Sequence, residues 1–264
     1  MIAGPPDQPV DVPTSVQRLI GARSFDVVWL NGLGGLTFRI EDPVHNLFLK
    51  WTPTSSGIDL DAERSRLEWA RTFTPVPRVI DAGKDEHGSW MMSEEMGASH
   101  AASKRATADP KKASIAVGLG LRALHDALPV ATCPFDWSAQ RRRHDVLARA
   151  ASGELVSVAW LEGFEGPELD GALVELADIP NEDLVVCHGD ACVPNTVIDA
   201  AGNWVAHVDL GSLGIGDRWA DLAVASWSTV WNYGANWAAT LYDSYGIEPD
   251  EKKIRYYRIL WGLE

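Results

Sequence analysis

One stretch decides the fold: Val185-Val186-Cys187-His188-Gly189-Asp190-Ala191-Cys192-Val193-Pro194-Asn195, followed by Val208-Asp209-Leu210-Gly211. Asp190 and Asn195 stand on a polar loop between two apolar runs. A turn at residues 200–203 then reverses the chain, so we expect a short β-hairpin that brings Asp209 back to where the loop began. Three side chains with oxygen atoms are therefore predicted to meet in one small volume.

Phosphoryl transfer needs such a set of groups. A carboxylate orients the attacking hydroxyl and accepts its proton, while an amide and a second carboxylate hold Mg²⁺ on the nucleotide phosphates. The order and spacing predict Asp190 as the base, with Asn195 and Asp209 as metal ligands. The alternative is a plain hairpin whose Asp and Asn side chains cap turns.

The pattern H-G-D-x-x-x-x-N followed by D-x-G resembles the catalytic and metal-binding loops of kinases. The variant with Gly189 after the histidine and with Pro194-Asn195 is similar to the aminoglycoside phosphotransferases. The likeness continues through residues 211–218 and 221–223. It implies an α+β, two-lobed, protein-kinase-like fold. Residues 1–97 would form a small antiparallel β-sheet lobe with one helix that binds nucleotide and ends in a hinge, and residues 98–264 a larger, mainly helical lobe for catalysis and substrate.

Lys50 lies in the otherwise apolar strand Asn46–Trp51, where its ammonium group requires a partner or water. Glu63 lies in a helix predicted over 59–73 from its apolar spacing. The resemblance implies that Lys50 binds the α- and β-phosphates and is itself held by Glu63. The alternative is a surface lysine and an ordinary helix glutamate.

Four further residues belong to the predicted nucleotide site. Gly34 and Gly35 lie in a turn between two strands whose backbone amides could bind phosphates, although an ordinary hairpin has the same glycines. The resemblance places the backbone of Ser93 and Glu95 at the nucleobase. It also places Phe48 in a stack on that base, with a plain core aromatic as the alternative.

The acceptor side departs from the family pattern. Its best studied members carry acids where this chain has Val193, Trp231, Asn232 and Gly262. The charge needed to pair with ammonium groups is predicted to come from Glu162 and Glu165, on the loop before residue 168, and from Glu264. Trp231 is expected either to stack on a sugar ring or to be a core residue with Trp227 and Trp237.

Two helices of the second half carry notable polar residues. His125, among leucines of the helix at 111–128, is expected to be a hydrogen-bonded core residue. Arg141-Arg142-Arg143, on the helix at 139–151, is expected to be a solvated face.

Composition limits the partners. The net charge is −14 over 264 residues, which disfavours nucleic acid and anionic membranes and suits a cationic ligand, although acidity also serves solubility. Three cysteines without a C-x-x-C pair predict neither a disulfide framework nor a zinc site. Neither a secretory leader nor a membrane span is predicted. We therefore expect a cytoplasmic protein, monomeric or weakly dimeric.

The sequence thus predicts an enzyme that moves the γ-phosphate of ATP (or GTP), with Mg²⁺, to a hydroxyl of an aminoglycoside antibiotic, which would confer resistance. One alternative is a kinase of another small hydroxylated amine on the same fold. The other is a nucleotide-binding pseudokinase, which the presence of Lys50, Glu63, Asp190, Asn195 and Asp209 disfavours.

Overall fold

A computed structural model describes residues 4–6 and 8–264. The first three residues and Asp7, which the sequence places in the nucleotide lobe, lie outside the described residues. The chain separates into two compact units. Unit 1 comprises Met1–Thr72 and Val76–Gly97, and unit 2 comprises Phe73–Pro75 and Ala98–Glu264.

Unit 1 is built on a five-stranded antiparallel sheet in the order β1-β2-β3-β5-β4. Its strands are β1 (Phe25–Leu30), β2 (Leu36–Ile40), β3 (Leu47–Pro53), β4 (Val79–Lys84) and β5 (Gly88–Glu94). Two helices accompany the sheet, the short α1 (Thr14–Ile20) and α2 (Leu60–Ala70). Strand β3 and helix α2 lie where the sequence predicts them, within a few residues at each end.

The burial of the side chains alternates along β3, which distinguishes the two faces of the sheet. Leu47, Leu49 and Trp51 are buried, while Phe48 and Lys50 between them are half-buried. Successive side chains of a strand point to opposite faces, so the first three share one face and the other two the opposite face. The buried face packs with Val16 and Ile20 of α1 in the apolar core of this unit. The face that carries Lys50 is thereby left for polar contacts.

Helix α2 packs against β4 and β5. The Asp59 side chain caps its first turn by accepting a hydrogen bond from the Ala62 backbone at 3.1 Å. Leu60, Leu67 and Ala70 are buried, and so is Glu63. The helix ends at Ala70, earlier than the predicted residue 73, and residues 73–75 belong to unit 2.

Unit 2 is mainly helical. Its helices are α3 (Lys104–Thr107), α4 (Pro110–Ala127), α5 (Ala139–Ser152), α6 (Leu169–Glu175), α7 (Arg218–Tyr233), α8 (Ala238–Tyr245) and α9 (Glu251–Gly262). Its strands are β6 (Ser99–His100), β7 (Leu184–Cys187), β8 (Thr196–Ile198), β9 (Trp204–His207) and β10 (Gly214–Asp217). They form the antiparallel pair β10-β7 and the antiparallel set β6-β8-β9.

The core of unit 2 lies between α4 and α8 and between α7 and α9. Helix α7 is buried over most of its length, and the side chain of Trp227 is fully enclosed. Burial on most sides is typical of a central helix, whose stability comes from packing and not from an exposed polar face. The polar loop after β7 contacts this helix, and α7 therefore supports it.

The prediction for the basic run on α5 is wrong for its central residue. Arg141 is exposed, but Arg142 is buried with its guanidinium 4.6 Å from the centre of the Trp137 ring. One turn of a helix cannot present three consecutive side chains to the same side. Within residues 4–6 and 8–264, the helices are too short or too polar to cross a membrane.

Candidate active site

The loop after β7 is held in a conformation that only glycine allows. Gly189 has φ +87°, and a Cβ atom there would lie 2.2 Å from the Ser212 carbonyl oxygen. Any side chain at this position would collide with backbone. The Gly189 position therefore lets the loop pass against the segment after Asp209 and sets the direction of Asp190.

Asn195 holds Asp190 at two points. Its Nδ2 donates to the Asp190 main-chain oxygen at 2.8 Å and to the carboxylate Oδ2 at 3.1 Å. Both Nδ2 hydrogens are thereby used, which leaves the Asn195 Oδ1 lone pairs for another partner. The other carboxylate atom of Asp190, Oδ1, is buried and has no hydrogen-bond partner among the described residues. Such an atom indicates a site where a ligand is expected.

Burial raises the pKa of Asp190, and the negative charge of Asp209 raises it further. Hydrogen bonds from Cys192 and Asn195 lower it in part. The balance lies above an ordinary aspartate, which makes Asp190 a stronger base than a solvated carboxylate. The charge effect also requires Asp209 to be near Asp190, as the predicted hairpin implies.

The hairpin that delivers Asp209 is β8–β9. Just beyond β9, the Val208 backbone N–H donates to the Asn195 carbonyl at 3.0 Å, which fixes the end of the hairpin to the polar loop. Asp209 is exposed and has φ +63°, in the left-handed region that aspartate tolerates better than most residues. This turn of the backbone follows directly after the anchored Val208.

His188 connects the two parts of the site, a role that the sequence reasoning missed. Its Nε2 donates to the Val208 carbonyl at 3.0 Å, and its Nδ1 accepts from the Asp190 backbone N–H at 3.3 Å. Because a carbonyl can only accept, the proton lies on Nε2. The only available signal was the position of a histidine two residues before the aspartate.

Asp221 on α7 fixes the backbone of the loop that carries Asp190. Its carboxylate accepts from the backbone N–H groups of His188 at 2.6 Å and Gly189 at 2.9 Å, and from His125 Nε2 at 2.9 Å. Burial alone would raise the pKa of Asp221, but the interactions with His125, together with those of His188 and the Gly189 backbone N–H, outweigh it and lower that pKa. His125 also bonds the Tyr245 hydroxyl at 2.8 Å and is the hydrogen-bonded core residue that the sequence predicts.

In unit 1 the structure brings Lys50 and Glu63 together. The Lys50 ammonium donates to Glu63 Oε1 at 2.6 Å. The Glu63 side chain is almost fully buried, whereas a quarter of the Lys50 side chain is exposed. A carboxylate held inside the unit can thus fix the ammonium group of a side chain that remains partly exposed.

The glycine turn of unit 1 uses its own amides. Asn31 Oδ1 accepts from the Gly35 backbone at 2.7 Å and from Leu33 at 3.0 Å, and the Asn31 carbonyl accepts from Gly34 at 3.1 Å. The N–H groups of Gly34 and Gly35, predicted to bind phosphate, are therefore already bonded within the turn. Phosphate contact through them would require this Asn31 turn to open.

Other predicted nucleotide residues are placed as follows. Phe48 is half-buried on the same face of β3 as Lys50. Ser93 is buried on β5 opposite Phe48. The Glu95 N–H donates to the Asn46 carbonyl, and its carboxylate accepts from Arg39 Nε at 2.7 Å. These bonds fix the segment after β5.

Glu264 does not fit its predicted role. Its carboxylate accepts two hydrogen bonds of 2.7 Å from Arg142, whose side chain is buried. This forked arrangement is the strong form of the arginine–carboxylate pair, and it neutralises the charge that was expected to attract substrate. We correct the prediction: the Glu264 side chain fixes the end of α9 to α5.

The acidic loop between α5 and α6 is fixed by tryptophans. The Glu162 carbonyl accepts from Trp227 Nε1 at 2.7 Å and from Trp231 Nε1 at 2.9 Å. Trp160 Nε1 closes the loop by donating to the Pro167 carbonyl at 3.0 Å. Within the part of the chain that the structure describes, the exposed Glu162 and Glu165 make no ion pair.

Ring contacts join this loop to α7 and α9. Phe164 lies edge-on to Trp227 at 5.3 Å, and Trp227 lies edge-on to both Trp231 at 5.0 Å and Trp261 at 5.7 Å. Trp231 and Trp261 are stacked, 5.9 Å apart with 26° between their planes. Among the described residues, no ring contact joins Trp237 to this cluster, whereas Trp261, which the sequence reasoning did not single out, belongs to it.

The family model described as "Phosphotransferase enzyme family" matches residues 20–257. An aminoglycoside 3'-phosphotransferase from Streptomyces ribosidificus is 32% identical over 246 residues, which cover 86% of this chain and 90% of that protein.

Two solved structures are also similar. The crystal structure of an aminoglycoside-3'-phosphotransferase of type VIII has a TM-score of 0.80 at 28% identity, covering 92% of this chain and 94% of that one. An aminoglycoside phosphotransferase from Streptomyces rimosus in complex with ADP and streptomycin has a TM-score of 0.68 at 28% identity, covering 86% of this chain and 90% of that one. The predicted fold class is confirmed by these structures.

Proposed function

The chain belongs to the phosphotransferase enzyme family, and we propose that it transfers the γ-phosphate of ATP to a hydroxyl of an aminoglycoside. The observation that supports this best is the Asp190 loop. The Asp190 carboxylate has a raised pKa, and the Asn195 amide bonds both this carboxylate and the Asp190 main-chain oxygen. A second carboxylate, that of Asp209, is nearby, and one oxygen of the Asp190 carboxylate is buried without a partner among the described residues. Antibiotic resistance would be the consequence for the cell. The proposed site of action is the cytoplasm.

Asp190 is the proposed base. Its carboxylate would orient the acceptor hydroxyl and accept its proton as the oxygen attacks the γ-phosphorus and the bond to the β-phosphate oxygen breaks. The proton passes to Asp190 and the leaving group is ADP. The raised pKa of Asp190 supports proton acceptance, and Asn195 keeps the carboxylate in one orientation while this happens.

The donor set near Asp190 fits Mg²⁺. Asn195 offers its amide oxygen and Asp209 an exposed carboxylate, and both are the hard oxygen ligands that this ion prefers. When bound, the ion would neutralise charge on the nucleotide phosphates. His188 supports the proposal because it ties the segment before Asp209 to the loop of Asp190.

Unit 1 is proposed to bind the nucleotide and unit 2 to carry catalysis and the acceptor. Lys50, fixed by Glu63, would bind the phosphates of ATP (or GTP). Phe48, on the same face of β3, would contact the base beside Ser93 and Glu95. The turn with Gly34 and Gly35 would lie over the phosphates only after the Asn31 bonds open.

On the acceptor side, Glu162 and Glu165 are proposed to pair with ammonium groups of the aminosugar, and Trp231 to contact a ring. Both carboxylates are exposed and without a cation, while their loop is fixed to α7 through the Glu162 carbonyl. A loop whose backbone is already fixed loses less entropy when its side chains bind a polycation. A monomer or weak dimer satisfies this arrangement, because the residues named stand in one chain.

The test is ATP consumption by the purified protein with a panel of amines. We expect saturable ADP release with an aminoglycoside and a phosphorylated product one phosphate heavier by mass spectrometry. Turnover of choline or ethanolamine with no aminoglycoside turnover would favour the kinase of another hydroxylated amine. Nucleotide binding without turnover of any amine would favour the pseudokinase.

A further inference from the structure

The face of the unit 1 sheet that carries Lys50 also carries an arginine. Arg39 of β2 is half-buried between two buried residues. It is paired with Phe48 of β3, and the side chains of directly opposed residues in an antiparallel pair lie on the same face. Ser93 of β5 is opposite Phe48 on its other side. Arg39 therefore stands in the same row as the residues proposed to contact the nucleobase.

Arg39 forms a forked ion pair with Glu95, the residue after β5. The Arg39 Nε donates to Glu95 Oε1 at 2.7 Å, and Nη2 donates to Oε2 at 3.1 Å. Asn46 Nδ2 also donates to Oε2, at 2.8 Å. Each carboxylate oxygen has two lone pairs, so both positions on Oε2 are taken and one remains on Oε1. The Glu95 carboxylate therefore cannot accept two parallel hydrogen bonds from a ligand.

Arg39 also keeps this carboxylate ionised. The hydrogen bond from Arg39 lowers the pKa of Glu95, burial opposes this, and the Asn46 bond adds to the lowering. An ionised carboxylate accepts hydrogen bonds and donates none. The guanidinium balances its charge, so the pair as a whole is neutral.

The two purines differ in what they require from a protein. Guanine presents the N1–H and N2–H donors side by side, and a free carboxylate can accept both in a fork. Adenine presents an acceptor at N1 and a donor at N6. Donors that lose water without gaining an acceptor weaken binding. A free carboxylate beside the base would thus favour guanine and repel the N1 lone pair of adenine.

We propose that Arg39, together with Asn46, makes the nucleotide site select ATP over GTP by occupying the Glu95 carboxylate that guanine would need. The inference rests on the proposed function, and it decides between the two nucleotides that the sequence leaves open. Arg39 is a specificity-determining residue that acts through Glu95. It removes the acceptor for guanine and cancels the negative charge that adenine would otherwise meet.

The neighbouring acid provides a matched control. Glu94 is the last residue of β5 and is paired with Leu47, so its side chain leaves the sheet on the face opposite to Phe48. Glu94 accepts the same kind of fork, from Nε and Nη2 of Arg78. Removal of either arginine frees one glutamate, but only removal of Arg39 frees it on the face that carries Phe48.

Calorimetric titration of ATP and of GTP, with Mg²⁺ and without an acceptor, measures the ratio of the two affinities. The two nucleotides have the same ribose and phosphates, so this ratio reports the base alone. We expect the wild type to bind ATP at least about 10-fold more tightly than GTP. Arg39→Met, which keeps an apolar chain and removes the donors, should lower the ratio about 10-fold, equivalent to roughly 1.4 kcal/mol. Arg78→Met should leave the ratio unchanged.

Two further variants test whether Arg39 acts through Glu95. Arg39→Met combined with Glu95→Ala leaves no free carboxylate, so the ratio should return to within about three-fold of the wild type, a recovery that disruption of the sheet would not give. Asn46→Ala frees one lone pair of Oε2 and should lower the ratio about three-fold. This second variant carries the test if Arg39→Met folds poorly.

Equal affinity of the wild type for ATP and GTP would overturn the inference, and so would equal ratios in the wild type and Arg39→Met. A fall in Arg78→Met as large as that in Arg39→Met, or no recovery in the double variant, would also overturn it. Because these titrations contain no acceptor, they separate the inference from the proposed function. Transfer to an aminoglycoside from ATP and GTP alike would overturn only the inference, whereas selective ATP binding without transfer to any amine would overturn only the proposed function.

Discussion

His188 donates from Nε2 to the Val208 carbonyl at 3.0 Å, and this bond joins the catalytic loop to the residue directly before Asp209. We expect His188→Phe, which keeps a ring against His207 but removes both polar contacts, to lower kcat by about 10²-fold. The reason is loss of alignment between Asp190 and Asp209, with nucleotide binding little changed. Steady-state kinetics beside the exposed His144→Phe as control would check it, and equal kcat values for the two variants would contradict it.

Asp190→Asn should lower the transfer rate by roughly 10² to 10⁴-fold, because an amide keeps the shape of the side chain but cannot accept the hydroxyl proton. Nucleotide affinity and thermal stability should remain close to the wild type. The matched control is Asp243→Asn, the same change at an exposed position of α8. A rate within a few-fold of the wild type would remove Asp190 from the role of base.

Asp209→Asn tests the metal. Asparagine tolerates the left-handed backbone at φ +63°, so the change removes a charge without the strain that alanine would add. We expect nucleotide affinity to become much less sensitive to added Mg²⁺, because the fixed carboxylate opposing the ion is gone. Calorimetric titration of ATP with and without Mg²⁺ measures this. Unchanged Mg²⁺ dependence would show that Asp209 is not a ligand.

Glu264→Gln should destabilise the protein by about 2 to 3 kcal/mol, because buried Arg142 is left without its counter-charge. Urea unfolding measures the loss, and Arg142→Met combined with Glu264→Gln should recover part of it. We expect the aminoglycoside KM of the folded Glu264→Gln variant to stay within about two-fold of the wild type. A large rise in that KM without loss of stability would restore Glu264 as a substrate residue.

Glu162→Gln with Glu165→Gln should raise the aminoglycoside KM at least several-fold and leave KM for ATP nearly unchanged. Removal of one partner of an ion pair that is largely desolvated on binding costs about 2 to 5 kcal/mol, and removal of one from an exposed pair costs much less. High salt should weaken acceptor binding by the wild type in the same direction. Glu86→Gln with Glu248→Gln, two exposed acids elsewhere, makes the same charge change as a control. Salt-independent acceptor binding would favour a neutral acceptor.

The fold was predictable because its signals are local. Alternating burial along β3, the Asp59 cap of α2 and the glycine turns are decided by residues close to one another in sequence. The motif that carries Asp190 and Asn195 is equally local, since the two are linked across five residues. The resemblance to kinases also implied the contact between Lys50 and Glu63, which a strand and the next helix bring together.

The errors concern contacts between distant segments. Arg142 and Glu264 are separated by most of unit 2. The sequence around Arg142 does not show that its side chain is buried, and the sequence around Glu264 does not show that its carboxylate is paired. Trp261 joins Trp231 only when α9 packs on α7. The glycine turn is the exception, because the bonds that join Asn31 to Gly34 and Gly35 are local, and the glycine spacing alone does not show that Asn31 closes the turn.

The sequence by itself therefore determined the element order and the local arrangement of the Asp190 loop, because backbone preferences and short spacings act within a few residues. Only the tertiary structure decided which charges of unit 2 are neutralised by ion pairs and which tryptophan rings contact one another. Those outcomes depend on the desolvation of Arg142 beside Glu264 and on the packing of Trp261 against α7, and both are set by residues far apart in the chain.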